Sequence, residues 1–494
     1  MDAIKNLLKE NGPGNVSSTA YDTAWIAQLA HIDYEISNQA LNWICENQLS
    51  DGSWGAYEPF YYHDRVISTL AAMIALTYRG RRSSDKRQIE RGLIALEGIT
   101  SGATQGLMAD PNGATAGFEM IVPTLVAEAE KLGIIQQQGD RILGRLAYQR
   151  KLKMESLKGR KINRYMTASF SSEMAGKDGI WMLDVENLQE TDGSISHSPS
   201  ATAFFVAQVK PGDPAAMTYL RKAIKSDGSA PMASPFEICE RTWVLWNISL
   251  IKNLDSDILS LCQPHLEELY KSWNAGAGVG FTHEHSVPDG DDTSLTFDVL
   301  QRFGYKPDFA PLFAFEEEKW FRCYPFETTS SISTNVHFLG ALFQAGVDID
   351  NPLIQKIIRY LESTITDQAF WYDKWHVSPI YTTAHAIITC SGYCNHLVRK
   401  SVEWLVKQQN DDGSWGFFVP TAEETSYALQ ALSIWRRDGQ EIIDTKILSR
   451  GIRWLEEHSE PPYPLLWIAK SLNYSEWIIR SEIISAKALV AEVT

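Results

Sequence analysis

Trp43–Gly55 reads WICENQLSDGSWG and Trp404–Gly416 reads WLVKQQNDDGSWG, with the tryptophans, the glutamine, the DGSW tetrapeptide and the closing glycine all in register. Gln189–Ser194 (QETDGS) is a third copy, with Ile195 where the others have tryptophan. A helix start rich in small residues follows each: Ser68-Thr69-Leu70, Ser200-Ala201-Thr202 and Thr425-Ser426-Tyr427. Each unit reads as a helix, a turn stapled by Gln and Trp, and another helix. In the turn, Asp is expected to cap the next helix, Gly to take the strained dihedral and Trp to pack on the neighbouring repeat. No single pair of helices buries its own apolar face, so such pairs stack into a ring, and the expected fold is all-α, built from α/α barrels.

The rest of the chain agrees with helices. Thr69–Leu76, Pro123–Leu132, Ala201–Val209, Arg241–Ile251 and Val336–Phe343 carry apolar residues at three- and four-residue spacing, and alternating strand patterns are scarce. At 494 residues the chain exceeds the roughly 250–300 residues over which one core keeps growing, so two domains are expected. A formal charge of −16 excludes a nucleic-acid partner, which needs a basic face. The six cysteines are scattered, which fits reduced thiols, and Cys390, Cys394 and His396 lack a fourth partner at zinc spacing. The N-terminus has no signal-peptide pattern and no window approaches ~18 apolar residues, so a cytoplasmic location without an integral membrane segment is expected.

Residues 287–294 read VPDGDDTS, which places Asp289, Asp291 and Asp292 just before the apolar stretch Leu295–Phe303. Crowded carboxyl groups cannot all ionise, so at least one proton is retained and the group titrates as a unit. In an apolar, dry site that proton becomes acidic toward an acceptor as weak as an alkene, provided fixed hydrogen bonds stabilise the conjugate base. Calcium ligation fails on spacing: counting from Asp289, loop position 6 is Ser294 instead of Gly and position 12 is Leu300 instead of Glu. A solvated helix cap remains open on the cluster alone. An inverting glycosidase would want two carboxylates roughly 6.5–9.5 Å apart, whereas these are adjacent. A non-catalytic helical-repeat binding protein would use the aspartates only as a cap.

Longer motifs decide among these. SSTAYDTAW (Ser17–Trp25), HDRVISTLA (His63–Ala71), GFEMIVPTL (Gly117–Leu125), LQETDGSISHSPSATAF (Leu188–Phe204) and PFEICERTW (Pro235–Trp243) accompany the Asp-x-Asp-Asp cluster. With these the chain resembles, over nearly its whole length, the class II diterpene cyclases, relatives of the squalene–hopene cyclases. SISTNVHFLGAL (Ser331–Leu342), DKWH (Asp373–His376), YTTAH (Tyr381–His385) and EPPYPLLWIAK (Glu460–Lys470) look similar to the short bacterial branch that makes halimadane- or clerodane-type diphosphates.

The resemblance implies a β domain (1–20 plus 228–494) and an inserted γ domain (21–227), with the site between them. It implies Asp291 as general acid, flanked by Asp289 and Asp292, and geranylgeranyl diphosphate as substrate. A triterpene cyclase would be longer, with more DGSW repeats. Neither Asp291-Asp292 nor Asp411-Asp412 continues as the DDxxD of class I synthases, so no class I α domain is expected. The product then keeps its diphosphate and passes to a separate class I diterpene synthase or phosphatase.

Ser171 and Met232 stand where ent-copalyl diphosphate synthases of plants place a His–Asn pair serving a base-bound water. Early deprotonation to a copalyl product is thereby disfavoured, and kolavenyl diphosphate is the first expectation, halimadienyl diphosphate the second. Lys161 and Arg164, in the basic run Arg150–Arg164, are candidates for the diphosphate. The family's Mg2+ site is represented here only by Asp110 and Glu119. Trp320, Tyr324, Trp371, Trp375 and Tyr381 are candidate cavity aromatics, because π faces stabilise carbocations without quenching them.

Overall fold

In the computed structural model the described residues are 2–12, 14–80, 82–109, 115–136, 142–144, 146–157, 159–325, 327, 329–439 and 441–494, without the side chains of 100–109 and 156. Helices dominate, and the strands among these residues are two-residue pairs.

Among the described residues two large buried cores form, with a small third cluster of Ala56, Tyr61, Val377, Leu466, Ile468 and Leu472. One draws on Ile4–Val16 and Met232–Val490, the other on Ala20–Ala230. Around the first, the helices Glu237–Ser249, Gly290–Arg302, Ile332–Gln344, Pro379–Cys390, Ala422–Arg437 and Glu476–Val493 pack each on the next and the last on the first, closing an inner ring. Asp2–Glu10, Ser256–Ser272, Pro352–Thr364, Asn395–Lys407 and Thr445–Glu457 lie outside it. Around the second, Ala20–Ala27, Tyr62–Arg79, Phe118–Lys131, the 3₁₀ run Thr167–Ala175 and Pro199–Phe204 close a smaller ring. Ser18–Thr19 pairs antiparallel with Ala230–Pro231, so the chain enters and leaves the smaller barrel side by side.

The repeat turns explain the rings. Gln48 Nε2 donates to Gly52 O at 2.8 Å inside its turn and to Gln88 O at 2.8 Å on Ser83–Ala109, the second helix after the turn. Gln409 does the same with Gly413 O at 3.0 Å and Ile447 O at 2.9 Å. Trp54 and Trp415 are fully buried, and each indole N–H donates at 2.8 Å to a helix-end carbonyl, of Ile44 and Leu405. Gly413 has φ +100°, and a Cβ there would lie 2.7 Å from Arg450 O. The expected aspartate helix cap is corrected: Asp51, Asp192 and Asp412 accept instead from the Ser two residues on, at 2.9, 2.9 and 3.0 Å, closing the turn itself. Trp371, expected in the cavity, is a further staple without the DGS signal. It is 0 % exposed and donates to Leu361 O at 2.9 Å.

The strip 464–476 stitches the barrels together. Ala116 N donates to Ala469 O at 2.7 Å, and Leu472 N donates to Asp64 Oδ1 at 2.8 Å. Lys470, fully buried, donates at 2.7 Å each to Glu173 Oε1, Ser198 Oγ and Ser200 Oγ, with its ammonium 4.5 Å from the Phe170 ring centroid. Removing one partner of such a pair leaves an uncompensated buried charge. Lys470→Met is therefore expected to cost about 3–5 kcal/mol in urea unfolding, and Lys470→Met with Glu173→Leu to recover most of it. Equal stability of the single and double variants would contradict this.

Candidate active site

Gly290–Arg302 begins with the aspartate cluster. Asp289 is its N-cap, its side chain accepting from Asp292 N at 2.8 Å, which satisfies one of the free amides of the first turn. Gly290 is tight: its N–H donates to Cys323 O at 2.8 Å, and a Cβ would lie 2.3 Å from Arg322 O. Capping and chemistry thus coexist, because Asp289 caps the helix beside Asp292 while Asp291 meets His337. Asp289 and Asp292 are buried, at 1 % and 5 % exposure, whereas the Asp291 side chain keeps 17 %.

Burial raises the Asp289 carboxyl well above the usual range, helped by the charges of Asp292 and Asp291. Burial also lifts Asp292 to about 7, with Asp291 adding to the rise. Cys239, beside them, is held as a thiol by burial and by Asp292.

Asp291 Oδ1 lies 2.8 Å from His337 Nδ1, and His337 Nε2 lies 3.1 Å from His385 Nδ1. With Asp291 Oδ1 as acceptor, the chain runs His385 Nδ1–H to His337 Nε2 and His337 Nδ1–H to Asp291 Oδ1; with a proton on Oδ1 it runs the other way, from Asp291 through His337 to His385 Nδ1. Burial, then the neighbouring His337 and His376, hold the His385 pKa well below 6.5 and keep that ring neutral. Trp246 stacks on His385 at 4.7 Å and 14°, and Trp243 meets His337 edge-on at 5.4 Å. The residues that sequence reasoning missed are therefore His337 and His385. Their signal was a lone histidine inside each of two otherwise apolar helical motifs, NVHFLGAL and YTTAH.

An aromatic wall continues from this relay. Tyr381, fully buried, lies 4.8 Å from His385 and 5.2 Å from Trp467. Trp467 and Tyr427 donate to Glu423 Oε1 at 2.8 and 3.0 Å, and His376 Nε2 is 3.1 Å from the same oxygen. Tyr324 meets Trp375 edge-on at 5.9 Å. Tyr324 follows Cys323, whose carbonyl accepts from Gly290 N at 2.8 Å, and burial and then the charge of Asp289 raise its phenol. The Trp375 indole N–H is buried without a partner. Trp320 instead packs on Tyr360 of an outer helix, at 6.0 Å.

The other candidates are scattered. Lys161 is exposed. Arg164 donates at 3.0 Å to Gln189 O and at 2.9 Å to the Tyr165 hydroxyl, with Nε left over and buried. Ser171 sits at a kink in its 3₁₀ run (φ −117°, ψ 35°), behind Gly117, and Met232 belongs to the larger core. Glu119 is ion-paired with Lys153, and Asp110 lies outside the described residues, so the described residues do not make a free Mg2+ site there. A cavity of about 900 Å³ inside the smaller barrel, lined by Trp25, His31, Tyr78, Arg79 and Lys177 among others, contains none of the three aspartates.

Because folding raises the Asp292 pKa from 3.8 to about 7, the folded chain holds that proton more tightly than the unfolded one. The associated stability is present below the unfolded pKa and is lost as pH rises through 7. Asp292→Asn has no such loss, so its Tm relative to wild type is expected to climb between pH 5 and pH 8. A pH-independent difference would contradict the assignment.

A family model, the squalene-hopene cyclase C-terminal domain, matches residues 327–462. A type B diterpene cyclase of Mycobacterium tuberculosis is 48% identical, over 100% of this chain and 99% of its own. A (+)-kolavenyl diphosphate synthase of Herpetosiphon aurantiacus is 30% identical, over 99% and 97%. Among solved structures, an ent-copalyl diphosphate synthase from Streptomyces platensis superposes with TM-score 0.81 at 25% identity, over 99% of this chain and 98% of that one. Kinship over the full length, on the same pair of helical barrels, makes this chain a member of the class II diterpene cyclases.

Proposed function

We propose that the Asp291 carboxyl protonates the terminal alkene of geranylgeranyl diphosphate and starts a bicyclisation in which the diphosphate stays attached. The observation that carries this reading is the Asp291–His337 contact of 2.8 Å on the one carboxyl of the three that is not fully enclosed. His337 donates to Oδ1, so the other oxygen carries the transferable proton. The alkene π pair takes that proton and leaves a tertiary cation, while the new carboxylate is stabilised by the His337–His385 chain. Internal alkenes close the rings, and loss of a proton elsewhere makes the product an isomer of the substrate.

Trp243, Tyr324, Trp375, Tyr381 and Trp467 supply π faces for the migrating charge. The absence of a His–Asn pair at Ser171 and Met232 favours hydride and methyl shifts before deprotonation. With the full-length likeness to a (+)-kolavenyl diphosphate synthase, this supports a kolavenyl skeleton first and a halimadienyl one second.

Lys161 and Arg164 are proposed to meet the diphosphate. Mg2+ is proposed to accompany that group, and no step is assigned to it. A class I diterpene synthase or a phosphatase would consume the product. No helix among the described residues is long and apolar enough to cross a membrane, and a cytoplasmic location is proposed.

The test is incubation with geranylgeranyl diphosphate and Mg2+, dephosphorylation, and identification of the skeleton by mass spectrometry and NMR. A bicyclic alcohol is expected from wild type and none from Asp291→Asn. His337→Ala is expected to lose roughly 10²-fold or more in kcat with its circular dichroism unchanged. Recovery of unchanged geranylgeraniol from wild type, or full activity of Asp291→Asn, would overturn the reading.

A further inference from the structure

A second cluster of metal-ligating side chains stands apart from the acid relay. Glu190 and His197 come from the third repeat turn of the smaller barrel, and His285 from the loop that leads into Asp289. Each offers one ligand atom, and the three atoms lie within 4.8 Å of one another. All three side chains are enclosed: Glu190 and His285 keep 1 % and 5 % of their side-chain surface, His197 1 %.

The hydrogen bonding is incomplete in an informative way. His197 Nδ1 lies 3.2 Å from Asp192 Oδ2 and 3.4 Å from Ser194 Oγ, contacts that a proton on Nδ1 serves, which leaves the lone pair on Nε2; that Nε2 is buried and has no hydrogen-bond partner among the described residues. His285 Nδ1 is likewise buried without a hydrogen bond, 3.8 Å from Glu190 Oε1. Two buried imidazole nitrogens without hydrogen bonds, beside a carboxylate, carry a desolvation cost that nothing among the described residues offsets. An aspartate behind a histidine is the arrangement that orients an imidazole toward a metal.

We propose that Glu190, His197 and His285 bind one divalent transition-metal ion of the zinc type, through Glu190 Oε1, His197 Nε2 and His285 Nδ1. Two imidazoles and one carboxylate suit zinc, cobalt or nickel and not Mg2+ or Ca2+, which take oxygen ligands. Ligand atoms around tetrahedral zinc stand roughly 3.4 Å apart, so the cluster needs a modest contraction along its longer edges.

The site would join the two barrels. Glu190 already accepts from the Ser286 amide at 3.3 Å and from its hydroxyl at 2.5 Å, so the ion would fix the third repeat turn to the loop that ends at the acid. Its function would be structural, holding that loop in register across the interface. The proposal does not rest on the substrate assigned above.

The experiment uses the full chain after chelator stripping, with CoCl2 or ZnCl2 alone as the probe. Wild type is expected to bind one equivalent of Co2+ with visible ligand-field bands and to show a higher Tm with Zn2+. His197→Ala and His285→Ala are expected to lose the bands, and Asp192→Asn to weaken binding roughly 10–100-fold. His283→Ala, on the exposed neighbouring histidine, is expected to bind like wild type. Wild type that takes up no stoichiometric Co2+ would overturn the site, and so would bands that survive His197→Ala. The wild-type titration decides the matter even if a variant fails to fold, and because turnover is not the readout, the result is independent of the cyclase reading.

Discussion

Three carboxyl groups at one helix start, with little water to screen them, cannot all be charged. Burial and the charges of their neighbours push the Asp289 carboxyl well above the usual range and Asp292 to about 7, so the cluster as a whole retains protons. Only Asp291 keeps an opening, and it is the one that touches His337. The remainder of the larger barrel can be understood as the means of keeping this arrangement dry and fixed. Gly290 lets the helix start press against Cys323 O, and Trp243 and Trp246 wall in His337 and His385. A water-filled site would level the acid, and the proton would not reach an alkene.

The two barrels are docked by a few specific contacts. The strip 464–476 leaves the larger barrel and lies against the smaller one, where Lys470 and Glu173 make a pair with no exposed surface. Such a pair contributes less to stability than apolar side chains of the same size, and its contribution here is register. It is satisfied by Ser198 and Ser200 from one turn only, which holds the two barrels in a single docking position. The proposed Glu190–His197–His285 site lies on the same interface and would act in the same direction.

The repeat was legible because it recurs in matching copies. Trp54 and Trp415 each bond a carbonyl ten residues back, and Gln48 and Gln409 each brace their own turn before reaching a helix 40 and 38 residues on. Asp289, Asp291 and Asp292 were legible because crowding within four positions is itself the signal. His337 and His385 were not, since they reach Asp291 from 46 and then a further 48 residues along the chain, and a single histidine in an apolar helix has many ordinary explanations. Lys470 meets Glu173 across 297 residues, beyond any local pattern. Trp371 was misassigned to the cavity because its turn lacks Asp-Gly-Ser. The pairing of Glu119 with Lys153 was likewise invisible, because charge alone does not say which lysine folds back on which acid.

The central claim is that the reaction begins by adding a proton to carbon while the diphosphate stays in place. Turnover of geranylgeranyl diphosphate in D2O tests it most directly. The account predicts a bicyclic diphosphate carrying one non-exchangeable deuterium at the ring carbon that was the protonated alkene terminus, with no inorganic diphosphate released. A hydrocarbon free of deuterium, formed with stoichiometric release of diphosphate, would contradict it.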